Sequence, residues 1–251
     1  MCYDIKASLE AQLAKAKKDQ DYLAVEEIME KLIPLTDLPL YHASGFSHPT
    51  ILIYTDRSPE FPEVATWGLI PHWVKDDEQQ KKIWNNTLNA RGESIFEKPS
   101  FRTAANNNRC VLYIDGFYEH HHVNDKTYPF YIYRKDKEPM VLAGLWSEWT
   151  NEQGGMLRTF TIVTTIGNSF MAKIHNNPKL KEARMPLILN ETSIDKWLSN
   201  TDQHTIEELI QPNQEIELET HTVGRLRGKE YLGNLEEITN PYVYQELEFK
   251  I

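Results

Sequence analysis

The spacing of apolar positions changes once along this chain, and the change divides it. Between residues 6 and 33, Leu9, Leu13, Ala16, Leu23, Ile28, Met29 and Leu32 recur at roughly helical spacing among lysines and glutamates, which predicts helix. The polar stretch Lys17-Lys18-Asp19-Gln20-Asp21 divides that segment into two helices, and Pro34 ends it. Residues 35–50 hold Pro39, Gly45 and Pro49 and are expected to form an irregular loop. Beyond them, segments 50–54, 64–67, 110–114, 130–133, 140–143 and 160–163 are rich in β-branched and aromatic residues and predict strands. Turn residues such as Asn151-Glu152-Gln153-Gly154-Gly155 separate some of these. Two short helices are predicted over 193–198 and 205–210, with Ser193 and Thr205 as caps, and residues 216–220 alternate as a strand. There is no repeat and no regular β-α alternation. The expected class is α+β: one domain over 1–251, with a curled, largely antiparallel β core flanked by helices and an elaborated helical segment at about 6–33.

Composition narrows the function classes. The 251 residues are 40% hydrophobic and 25% charged, an ordinary globular balance. No apolar run approaches the roughly 20 residues of a membrane span, so no membrane partner is expected. No basic patch followed by an apolar core opens the chain, so no secretory signal is expected either. With only Cys2 and Cys110, a reduced, cytoplasmic chain without a zinc framework is expected. The net charge of −10 makes a poor generic nucleic-acid binder, so any such role needs a local basic cleft. The run His120-His121-His122 would place its rings on alternate faces of a strand and reads as a solvated strand end, not a metal site.

The chain opens Met1-Cys2-Tyr3, and removal of Met1 would leave Cys2 with a free α-amine beside its thiol. Such an aminothiol condenses with an aldehyde to a Schiff base, and the thiol then closes a thiazolidine ring. The amine titrates at about 7.7–8.0 and the thiol at about 8.5, so both are partly reactive near neutrality. Three further segments set a reactive polar residue among bulky apolar neighbours. They are Asn89-Ala90-Arg91-Gly92-Glu93, Asp115-Gly116-Phe117-Tyr118-Glu119, and His175 followed by Arg184-Met185-Pro186. Singly, Asn89 could cap a turn, Glu119 could be a surface carboxylate and His175 a loop histidine.

Together with Trp67-Gly68-Leu69-Ile70-Pro71-His72-Trp73 and Arg109-Cys110, these segments form an ordered series, and through it the chain resembles the SRAP family (SOS response-associated peptidase) from Cys2 to about Gly224. The resemblance implies removal of Met1 by the protein itself, then crosslinking of Cys2 to abasic sites in single-stranded DNA as a thiazolidine. It implies Cys2, Asn89, Glu119 and His175 as catalytic residues. Asn89 would orient the amine without adding charge, Glu119 would move protons, and His175 would assist ring opening or reversal. It further implies Arg91 and Arg184 as phosphate ligands, Thr164 as a phosphate contact, and Trp73 as an aromatic platform or wedge against a base, with a core tryptophan as the alternative for Trp73. Trp67 and Trp146 are assigned to the core. No cofactor is implied. The expected protein is a monomer in the cytoplasm, nucleoid-associated during DNA damage.

The sequence also departs from the family pattern. Tyr3-Asp4 stands where Gly-Arg often follows the cysteine, His42-Ala43-Ser44-Gly45 replaces an Asn-Val-Ala-Pro loop, and residues 176–183 separate His175 from Arg184. Lys179 and Lys181 in that insert could supply replacement charge. Two other readings stay open. An N-terminal-nucleophile amidase or cysteine peptidase would use Cys2 on an external amide, with His175 as base. A non-covalent single-strand binder would not need Cys2 at all.

Overall fold

In the computed structural model, which describes residues 2–199, 201–212 and 215–247, the chain enters the fold as a strand. Asp4–Ala7 lies between Leu40–Ser44 and Gly116–Val123 and pairs antiparallel with both. Ile5 and Ala7 are fully buried, as expected when side chains two apart share one face of a strand. Lys126–Arg134 and then Leu218–Thr222 extend this sheet past Gly116–Val123, again antiparallel.

The second sheet closes on itself. Met156–Ile166, Glu63–Trp67, Thr50–Thr55, Arg109–Ile114 and Met140–Thr150 pair in that order, and Met140–Thr150 pairs back with Met156–Ile166. This barrel-like ring is antiparallel except where Met156–Ile166 runs parallel to Glu63–Trp67 and to the short Asn89–Arg91. Closure leaves few unpaired strand edges. One core cluster runs from Trp67, Trp146 and Phe160 to Ile5, Phe117 and Cys2, so the two sheets share an apolar interior. Trp67 and Trp146 are buried there, as expected.

Arg109–Ile114 of the ring continues through Asp115 into Gly116–Val123 of the other sheet. At this joint the Asp115 carboxylate accepts hydrogen bonds from Ser8 N at 2.6 Å and Ser8 Oγ at 2.8 Å. Ser8 Oγ in turn accepts from Ala11 N at 3.1 Å and caps the helix Leu9–Gln12.

Several local expectations need correction. Helix does not begin at residue 6. Lys6 and Ala7 are drawn into the strand by pairing on both sides, and helix starts only after the Ser8 cap. The helical segment is more broken than predicted, into Leu9–Gln12, Ala14–Lys18 and Tyr22–Glu27, the last widening into a π-helical turn over Ile28–Leu32, with the expected break at residues 19–21. Pro34 lies inside a closing turn, Ile33–Leu35, rather than beyond the end. Residues 35–50 are not wholly irregular, because Leu40–Ser44 supplies the outer partner of Asp4–Ala7. The two late helices are capped three residues earlier than predicted. Asn190 Oδ1 accepts from Ser193 N at 3.0 Å, and Asp202 Oδ1 accepts from Thr205 N at 3.1 Å. The three histidines are half-buried rather than solvated; His120 and His122 line one cavity, while His121 turns to Ile174 O and the Phe130 ring. No group of residues suited to a metal ion, and no helix long and apolar enough to cross a membrane, occurs among the described residues.

Gly116 sits where Gly116–Val123 packs closest to its neighbour. A Cβ there would stand 2.3 Å from Ile132 O and 2.8 Å from the Tyr131 ring. Overpacking typically costs about 1–3 kcal/mol. Gly116→Ala should lower the unfolding free energy by at least that amount in denaturant titration. A wild-type unfolding curve would contradict this packing.

Candidate functional site

The four residues expected to act chemically come from four distant parts of the chain. Cys2 precedes the first strand and is 1% exposed, with Sγ 4.0 Å from Asp4 O. Burial, and then the negative charge of Glu119, push its thiol well above the usual range. Asn89 begins Asn89–Arg91, which the ring strand Met156–Ile166 holds in register through Ile162. Its Nδ2 donates to Cys2 O at 2.9 Å, while its Oδ1 is buried without a hydrogen-bond partner.

Glu119 lies on Gly116–Val123. Because Asp4 pairs with Tyr118, antiparallel register brings residues before Asp4 toward Glu119. One of its oxygens accepts from His120 N at 2.9 Å, and the other lies 3.2 Å from His175 Nδ1. His175 ends the helix Ser169–Ile174, with its own N–H on Met171 O at 2.7 Å. Its Nδ1 is 2.9 Å from Arg184 O and 3.3 Å from Arg184 N, and one nitrogen cannot serve both as donor and acceptor. Two acceptors, Arg184 O and Glu119, lie nearer than the single donor, so we place the proton on Nδ1 and leave Nε2 as the basic nitrogen. Burial lowers the imidazole's affinity for a second proton, and Glu119 opposes this only in part.

The residues expected at DNA divide. Arg91 is exposed at the end of its strand, and Trp73 is 41% exposed with its indole N–H on Pro99 O at 3.2 Å. Arg184 and Thr164 are turned inward instead. Arg184 is 2% exposed and grips Glu93 with two hydrogen bonds, of 2.6 and 2.9 Å, and also donates to Thr164 O at 2.9 Å. Although burial opposes it, that grip holds the Glu93 carboxyl below its ordinary value. Thr164 is fully buried and its hydroxyl donates to Ala90 O at 3.4 Å. In this arrangement the terminal nitrogens of Arg184 and the Thr164 hydroxyl are bonded within the protein, while Arg184 Nε is buried without a hydrogen-bond partner.

A cavity of about 510 Å³ opens beside Glu119 and His175. Tyr3, Phe46, His120, Arg225 and Arg227 also line it, and sequence reasoning had singled out none of them for the site. Asp4 lines it too, and joins a buried chain in which His42 Nε2 is 3.1 Å from Asp4 Oδ1 and His42 Nδ1 is 2.7 Å from Tyr231 Oη. Burial raises the Asp4 carboxyl, but His42 and Arg227 outweigh that and lower it overall. The signal available beforehand was the acidic Asp4 so close to the reactive cysteine.

The match to known proteins covers the elements that carry Asn89, Glu119 and His175. The family model described as SOS response associated peptidase (SRAP) matches residues 8–229. The chain belongs to the SRAP family. Among its SRAP relatives, the abasic site processing protein YoqW of Bacillus subtilis (strain 168) is 38% identical over 192 residues, covering 74% of this chain and 81% of that protein. The abasic site processing protein HMCES of Xenopus tropicalis is 28% identical, covering 71% of this chain and 59% of that protein. A crystal structure of a Bacteroides thetaiotaomicron protein superposes with a TM-score of 0.80 at 29% identity, covering 96% of this chain and all of that one. The SRAP fold is thus the α+β architecture expected from the sequence.

The His175 environment makes a signed prediction. In an NMR titration of the imidazole, its midpoint should fall below the ordinary value of about 6.5. Glu119→Gln removes the charge that favours the imidazolium, so the midpoint should drop further. A midpoint at or above 6.5, or an upward shift in the variant, would contradict the described geometry.

Proposed function

We propose that this chain captures abasic sites in single-stranded DNA covalently, through Cys2, after removing its own Met1. The observation that carries the reading is the convergence of Asn89 on Cys2 O at 2.9 Å with Glu119 and His175 at 3.2 Å from each other. Relatives named as abasic site processing proteins support the same class of substrate.

The chemistry follows from the side chains. Ring opening of the abasic sugar moves a proton from its hydroxyl and exposes an aldehyde, a task for Glu119 and the His175 imidazole. The α-amine of Cys2 attacks as a neutral nucleophile, and its N–C bond forms as the carbonyl becomes a hydroxyl. The buried Oδ1 of Asn89, which has no partner, can accept an N–H of that amine. Glu119 returns a proton to the hydroxyl, which leaves as water and yields the Schiff base. The Cys2 thiol then adds to the same carbon as the C=N double bond becomes single, its proton passes to the nitrogen, and the thiazolidine closes. One aldehyde and one aminothiol give one ring and one water.

A cysteine nucleophile that attacks first needs a lowered thiol pKa, whereas the Cys2 thiol is raised by burial and by Glu119. Arg91 and Trp73 remain our candidates for phosphate and base. Arg184 is read as a positioning residue, since its backbone carbonyl holds His175 and its side chain fixes Glu93. The protein is read as a monomer acting in the cytoplasm beside the nucleoid.

Incubation with abasic single-stranded DNA, followed by denaturing electrophoresis, tests the reading. Wild type should give a denaturation-resistant adduct, and Cys2→Ala should lose it. Glu119→Gln and His175→Gln, shown folded by circular dichroism, should slow formation or release by about 10²–10⁴-fold. A stable adduct of normal yield from Cys2→Ala would overturn the mechanism. Wild-type rates of formation and release in both other variants would overturn the site assignment.

A further inference from the structure

Two arginines at the cavity have no part in the chemistry above. Arg225 and Arg227 follow the last strand, Leu218–Thr222, and both line the cavity that holds Glu119 and His175. Their segment is anchored rather than loose. Val223 is fully buried, Leu226 is 2% exposed, and both pack with Tyr118, Tyr131 and Ile238. A bridge from Val223 to Pro241 ties the segment down again.

Each guanidinium is held in a way that suits an anion arriving in the cavity. Arg225 lies over the rings of Tyr128 and Tyr244, at 5.5 and 5.0 Å, and donates to Thr127 O. Such ring faces attract the guanidinium and hold it at the cavity wall. The Arg227 side chain is 59% exposed, and its contact with Asp4, at 3.1 and 3.3 Å, uses Nη2 alone out of the several N–H donors of a guanidinium. Asp4 is itself shared with His42, so Arg227 is anchored by a carboxylate that another residue also binds.

Charge gives the reason for these cations. The chain carries −10 overall, and Asp4 and Glu119 line the same cavity. A polyanion entering there needs positive charge close to the reacting carbon. We propose that Arg225 and Arg227 form a phosphodiester-binding subsite that holds the single-strand backbone next to the captured sugar. The strand then runs between Arg91, at the edge of the barrel-like ring, and this anchored segment, with the reactive residues between them. The subsite reads phosphate and not bases, and it rests on the capture reading for its DNA partner.

The test uses full-length protein and an unmodified single-stranded oligonucleotide, so no covalent step intervenes. Affinity is measured across a salt series. Each phosphate contact contributes about 0.7 to the slope of log K against log salt for single strands. Arg225→Gln/Arg227→Gln should weaken binding and reduce the slope by about 1.4, whereas Arg225→Lys/Arg227→Lys should keep most of it. If the doubly substituted glutamine protein fails to fold, the exposed Arg227→Gln alone should lose about 0.7. Wild-type affinity and slope in the folded glutamine variants, or no salt-dependent binding by wild type, would overturn the subsite. The capture reading is judged separately, by the adduct of wild type with abasic DNA. An adduct with unchanged slopes overturns only the subsite, and reduced slopes without an adduct overturn only capture.

Discussion

The candidate site depends on a four-residue strand bonded along both edges. Chain termini usually fray, and a reactive group on a frayed terminus has no fixed geometry. Here Asp4–Ala7 is held between Leu40–Ser44 and Gly116–Val123, its Ile5 and Ala7 are fully buried, and Ser8 is fastened to Asp115 just beyond. Residue 2 is therefore delivered to one place. Register with Gly116–Val123 decides that Glu119 is its acidic neighbour, and the barrel-like ring brings Asn89 to its carbonyl. A slip of one residue in this pairing would turn Glu119 to the other face of the sheet.

Buried electrostatics then set what each group can do. Burial and a neighbouring carboxylate raise the pKa of the thiol. The imidazole is kept neutral and its tautomer is set by Arg184 O and Glu119, so the ring can both accept and pass on a proton. Arg184 connects this acid–base pair to the turn Gly92–Ser94 that follows the strand carrying Arg91, because its backbone touches His175 while its side chain grips Glu93. The Arg184 that the sequence offered for DNA thus looks inward, in keeping with a buried guanidinium's need for a paired carboxylate.

Much of this was legible beforehand. Clusters of β-branched and aromatic residues marked most of the ring strands, and the ordered segments around Cys2, Asn89, Glu119 and His175 marked residues that the fold does bring together. What escaped was non-local. Lys6, Ala7 and Leu40–Ser44 become strand through pairing with distant partners, which helical spacing and a few prolines could not reveal. The burial of Arg184 and Thr164 likewise depends on distant parts of the chain. Arg225 and Arg227 lie at the end of the recognisable segments, and only the packing of Val223 and Leu226 turns them toward the cavity.

The central claim is a covalent bond made by both the amine and the thiol of one residue. After reaction with abasic single-stranded DNA, nuclease and trypsin digestion should release a peptide from Cys2 to Lys6, and mass spectrometry can weigh it. The account predicts this peptide without Met1, carrying one sugar-phosphate remnant less one water, with neither its amine nor its thiol open to blocking reagents. A modified peptide that still begins at Met1, or a sugar carried by Cys110 or a lysine, would contradict it.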